Sequence, residues 1–159
     1  MVELVHYTSM KKLEKILELG KIIPTRRFSY IDTDVPSEIK KKAAYFILSK
    51  DLEKWKRFSY FYDWLLYHVD CEKSSIVELH IFTENINQFF VLDRIYQQMY
   101  ELERLRSKKS DDKFRTWMNK LYALSIMPLK CYEGKEYVLP EVISFLPVNL
   151  RNFYYRILR

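Results

Sequence analysis

Among the 159 residues of this chain, two clusters near its ends have types and spacing suited to chemistry. The first, His6-Tyr7-Thr8, lies where a short apolar stretch gives way to a helical pattern. A strand handing over to a helix N-terminus offers free N–H groups and the positive end of the helix dipole, both suited to a phosphate. A histidine at a strand end can also be purely structural. The second cluster, "EGKEYVLPE", holds Glu133, Glu136 and Glu141 within nine residues. Glu136 opens an apolar stretch, where a carboxylate is partly desolvated unless it has a partner or a role. Glu133 reads as a surface residue.

A third cluster lies mid-chain: Asp70, then Glu78 and His80 within "IVELHIF", with Glu84 just beyond. A carboxylate followed by a strand-borne Glu-x-His is arranged like the Asp…Glu-x-Lys set of metal-dependent nucleases. There the acids hold Mg²⁺ and the lysine assists attack by water. In this chain His80 stands where that lysine would be.

Composition narrows the options. The chain has only two glycines, Gly20 and Gly134. Phosphate-binding loops of the GxxxxGK and GxGxxG types need several closely spaced glycines, so neither is present. A nucleotide would have to be held mainly by side chains. Lysine and arginine number 27 against 21 acids, a net charge of +6 that is compatible with a polyanionic partner. Cys71 and Cys131 form neither a disulfide framework nor a CxxC zinc pattern, so both are expected to be reduced thiols of an intracellular, cytoplasmic protein. No stretch has the length or charge pattern of a membrane span or signal peptide.

The elements that must position these residues follow from periodicity. Residues 2–8 read as a strand. Ser9 or Thr8 caps a helix with Met10, Leu13, Ile16 and Leu17 on one face, and Gly20 ends it. "TRRFSYIDTDVPS" reads as a loop and "AAYFILS" as a buried strand. From Asp51, the spacing of Leu52, Trp55, Phe58, Tyr62, Leu65 and Val69 predicts one continuous helix. "SSIVELHIF" is strand-like, two helices are expected over about 91–106 and 111–125, and "KEYVLPEVISFLPVNL" provides one or two strands broken by Pro140 and Pro147. The expected fold is a single α+β domain over residues 1–159, with a central, largely antiparallel sheet flanked by helices.

The two end clusters together resemble the ADP-ribosyltransferase-fold superfamily. "HYTSMKKLEKILELGKI" is similar to its opening, a strand with His-x-Thr before a helix ending in glycine. "KEYVLPEVISFLPVNL" is similar to its closing segment, in which a catalytic glutamate starts an apolar strand. The branch of DNA-targeting ADP-ribosyltransferase toxins looks closest, through His6-Tyr7-Thr8, Gly20, "SYIDTDVPSEIKKK", Tyr45-Phe46 and Glu136-Tyr137-Val138-Leu139-Pro140. The likeness covers both ends and hardly touches residues 50–130. It departs where those toxins place an arginine after the loop, since this chain has Lys40, Lys41 and Lys42 there.

The resemblance implies an NAD-dependent transferase acting on nucleic acid, DNA or RNA. Glu136 is then catalytic, with Glu141 as the alternative. His6 and Thr8 grip the dinucleotide, Tyr45 stacks on the nicotinamide, and NAD is the co-substrate. Arg26, Arg27, Lys41 and Lys42, interleaved with Phe28 and Tyr30, are the expected acceptor-binding residues. Two other expectations stand beside it. One is a Mg²⁺-dependent nuclease using Asp70, Glu78 and His80, with Glu84; the other is a non-catalytic nucleic-acid-binding module.

Overall fold

A computed structural model describes residues 1–23, 44–69, 76–84, 89–92, 94–123, 125–128, 137–141 and 143–148. The chain is of the α+β class, and among the described residues every strand pairing is antiparallel. Strand β1 (Val2–Ser9) leads into helix α1 (Met10–Leu19) and the short β2 (Lys21–Ile22). β3 (Phe46–Leu48) runs through a 3-10 turn (Ser49–Asp51) into α2 (Leu52–Lys56) and α3 (Phe61–Val69). Then come β4 (Ile76–Thr83), β5 (Phe89–Leu92), α4 (Arg94–Arg106) and α5 (Asp111–Lys120). β6 (Ser125–Pro128), β7 (Tyr137–Val138) and β8 (Ile143–Pro147) follow among the described residues. Six strands form one sheet in the order β5-β6-β3-β1-β4-β8, and β2 pairs with β7 separately.

The first turn of the chain is set by local chemistry. The Ser9 hydroxyl accepts from the Lys12 backbone N–H at 3.2 Å, satisfying a donor that helix geometry leaves unpaired. At the other end Gly20 takes φ of 69°, the left-handed conformation that ends helices, and its N–H reaches the Ile16 carbonyl. α1 buries Leu13 and Ile16 as expected, but Leu17 is exposed, so the buried stripe is narrower than the sequence suggests.

Strand alternation sorts β1 into two sets. Leu4 lies in a cluster with Leu13, Ile16, Ile22, Phe46, Val77, Leu79 and Ile81, beneath α1 and the β2–β7 pair. Val5 lies in the other cluster, with Trp55, Phe61, Met99, Phe114 and Met118 of the remaining helices and Phe58 between two of them. β1 and β4 therefore sit mid-sheet with a core on each side.

Three expectations are corrected. The helix expected from Asp51 onward is two helices, α2 and α3, separated at residues 57–60. Leu52, Trp55, Phe58, Tyr62 and Leu65 are still buried, so the hydrophobic pattern survives the break. The break is stabilised by the buried Glu103 carboxylate of α4, which accepts from both the backbone N–H and the hydroxyl of Ser59. The helices expected over about 91–106 and 111–125 are shorter at their outer ends: residues 91–92 belong to strand β5 and Ser125 to strand β6, which pair with each other through distant partners that local periodicity cannot reveal. His6 stands within β1, which runs on to Ser9, and not at the end of the strand.

Candidate functional site

His6 and Thr8 are two residues apart on β1 and so share a face of the sheet. They lie opposite Leu79 and Val77 of β4, both members of the cluster beneath α1. The His6 Nδ1 is 2.9 Å from the Tyr45 backbone carbonyl. A carbonyl only accepts, so Nδ1 carries the hydrogen. Burial lowers the His6 pKa and outweighs the opposing Tyr45 hydrogen bond, and the Lys12 charge lowers it further. His6 is thus the neutral tautomer with Nε2 as an acceptor. Among the described residues nothing is bonded to that nitrogen.

The His6 ring meets one member of an aromatic cluster. The His6 ring is 5.1 Å from Phe46, which is 5.2 Å from Tyr137 and 6.2 Å from Phe89. Tyr137 and Phe89 also meet, at 5.9 Å. Tyr137 is held there by pairing with Ile22, and Leu139 N–H bonds to the Gly20 carbonyl at 3.0 Å. The segment that follows Glu136 in sequence thus lies on the His6 side of the sheet. Thr8 is buried on that side. Tyr45 supplies its carbonyl to His6, and its side chain packs against both core clusters. Glu141 is exposed after β7. Glu136, Arg26, Arg27, Lys41, Lys42 and the loop around them lie outside the described residues, as do Glu133, Asp70, Cys71 and Cys131.

The opposite face of the same two strands carries a second constellation. Tyr7 faces Glu78 across the β1–β4 ladder, and its hydroxyl donates to Glu78 Oε1 at 2.8 Å. His80 Nε2 is 3.1 Å from Glu78 Oε2, and its Nδ1 is 2.7 Å from Glu3 Oε1. Lys56 at the end of α2 brings its ammonium within 3.6 Å of Glu78 Oε1. Glu78 and His80 are 3% and 9% exposed, so these are charges largely withdrawn from water.

Mutual pairing makes that burial tolerable. Burial, the largest influence on Glu78, acts to raise its pKa. Hydrogen bonds from His80 and Tyr7, with the Lys56 and His80 charges, outweigh it and leave the pKa lowered. The Glu78 hydrogen bond is the main cause of a raised His80 pKa; burial opposes it and Glu3 adds to it. Burial and then the Glu78 charge push the Tyr7 phenol well above its ordinary value. The result is a carboxylate–imidazolium–carboxylate row that ends on a neutral phenol.

The structure therefore unites Glu78 with His80 and separates both from His6 and Thr8 by the thickness of the sheet. Glu84 is exposed beyond the end of β4. Both His80 ring nitrogens are engaged by carboxylates, which leaves no imidazole lone pair for a metal. Among the described residues no group of three His, Cys, Asp or Glu side chains is arranged to hold an ion.

Glu3 and Lys56 were not anticipated from sequence, and Tyr7 was named only within the His6-Tyr7-Thr8 cluster, with no role of its own. Even spacing in apolar strands was a usable signal for two of them: Glu3 and Tyr7 fall on the same face of β1, as Glu78 and His80 do on β4. Lys56 had no such signal. No protein-family model, curated protein or solved structure matches this chain.

Proposed function

We propose that this chain is an NAD-dependent ADP-ribosyltransferase-like enzyme that modifies nucleic acid, with NAD as co-substrate. In this reading His6 and Thr8 hold the dinucleotide, and Glu136 stabilises the oxocarbenium-like ribose as the bond to nicotinamide breaks. The observation that carries it is the state of His6. A neutral imidazole, its tautomer set by the Tyr45 carbonyl, presents Nε2 as an acceptor suited to a ribose hydroxyl. The position of Tyr137 in the same aromatic cluster adds support, because it directly follows the proposed catalytic residue.

The test is thermal denaturation with and without NAD, alongside release of nicotinamide. NAD is expected to raise the melting temperature of the wild type and to lose that effect in His6→Phe, which keeps an aromatic ring but removes Nε2. Glu136→Gln is expected to keep the stabilisation while turnover falls roughly a hundredfold or more. No NAD-dependent stabilisation and no nicotinamide release would overturn the reading. Chelator-sensitive, Mg²⁺-dependent cleavage of linear DNA in the same preparation would favour the nuclease instead, and oligonucleotide binding without either activity the binding module.

A further inference from the structure

The outer side of α5 combines features that neither face of the sheet explains. Asp112, Lys113, Thr116, Trp117 and Lys120 line a shallow depression of about 300 Å³. Lys113 and Lys120 are exposed, and the half-buried Trp117 sits between them in sequence, four residues from one and three from the other. That spacing puts all three along one side of the helix, with the two ammonium groups anchored about 10 Å apart along the axis. The Lys109 ammonium lies 5.3 Å from the centre of the Trp117 ring, so a cation from the preceding turn already occupies an indole face. Phe114 meets the indole at 63°, 6.1 Å between centres, and anchors it to the core. The competing acid Asp111 is engaged by Arg104 of α4. Asp112 marks the N-terminal edge of the depression and disfavours phosphate there.

We propose that this stripe of α5 docks single-stranded nucleic acid, one base stacking on Trp117 while Lys113, Lys120 and Lys109 contact flanking phosphates. An anchored indole flanked by cations is suited to an unpaired base with a charged backbone on either side. A base arriving on the ring displaces the Lys109 ammonium toward a phosphate. The assignment deepens the acceptor half of the proposed function and rests on it for the class of partner, but docking itself needs no NAD.

The experiment measures anisotropy of a labelled single-stranded DNA of about 16 nucleotides, without NAD, over a range of salt. Trp117→Leu, which keeps an apolar side chain against Phe114, is expected to weaken binding about tenfold through loss of stacking. The double variant Lys113→Gln/Lys120→Gln alters only exposed side chains. It is expected to lower the slope of log affinity against log salt by about 1.4, at roughly 0.7 per phosphate contact on a single strand. Wild-type binding that ignores both variants would overturn the α5 site while leaving a nucleic-acid acceptor docked elsewhere. Absence of wild-type binding at low salt, or equal lysine-dependent binding to anionic vesicles, would also overturn it. NAD-dependent stabilisation, read in the same samples, reports on the transferase reading separately.

Discussion

At the scale of single residues, the most consequential feature is that β1 presents different chemistry on its two sides. His6 is kept neutral on one, while Tyr7, its neighbour in sequence, donates to an ionised Glu78 on the other. Glu78 is the hub of its group, joining Tyr7, His80 and Lys56. Removing one partner from a buried set costs more than the pair contributes, because the remaining charges stay desolvated. Glu78→Gln preserves shape but leaves His80 and Lys56 facing a neutral amide. It is expected to destabilise the protein by about 3 kcal/mol in urea titrations at neutral pH. A loss below about 1 kcal/mol, the range of exposed pairs, would mean that water compensates these charges.

At the scale of elements, the separation of α2 from α3 shows how a carboxylate can stabilise a break that hydrophobic spacing does not announce. Ser59 falls in the break, and its N–H and hydroxyl both turn to Glu103 of α4. That contact ties the break to a helix 44 positions away in sequence. Glu103→Ala orphans the buried Ser59 donors and is expected to cost about 2–3 kcal/mol, as for loss of hydrogen bonds to a charged group. Glu103→Gln retains a carbonyl acceptor and should cost clearly less. Equal losses in the two variants, measured by denaturant unfolding, would show that Glu103 acts by charge and not as an acceptor for Ser59. Other parts of the helix pattern needed no such aid. Ser9 and Gly20 bound α1 by their own side-chain and backbone preferences.

At the scale of the whole molecule, the sheet separates two histidines whose proton affinities move in opposite directions. His80 has a raised pKa, so its stabilising effect is full below its ordinary value of 6.5 and is lost as pH rises through the folded-state value. His6 has a lowered pKa; its favourable neutral form is fully present above 6.5, and stability is lost as pH falls through the folded-state value. Glu78, also lowered, contributes above its ordinary 4.5 and loses that contribution as pH falls further. Stability is therefore expected to peak near pH 6.5. His6→Phe should remove the acid limb due to that histidine and move the maximum lower. His80→Gln should remove the alkaline limb and move it higher. Melting temperatures recorded from about pH 4 to 9 would check this, since linkage makes stability follow proton uptake. Shifts in the same direction for both variants would contradict the assignment of opposite protonation states.

What the sequence determined by itself was whatever depends on neighbours along the chain. The strand–helix–glycine opening, a helix cap at Ser9 or Thr8, the strand character of β4 and the α+β class all follow from local propensity and apolar patterning. The same local signals were blind to β5 and β6, whose partners lie far away in sequence. They also named His6, Thr8, Glu78 and His80 as chemically suited residues without being able to say which act together. Tertiary structure decided that, because the pairing register sends alternate side chains of β1 to opposite faces. It placed His6 beside Phe46, whose ring meets Tyr137, and it joined Glu78 and His80 to Glu3, Tyr7 and Lys56. Whether a residue is neutral or charged then follows from what each face buries it against. That depends on the three-dimensional dielectric and hydrogen-bonding surroundings, which no linear spacing encodes.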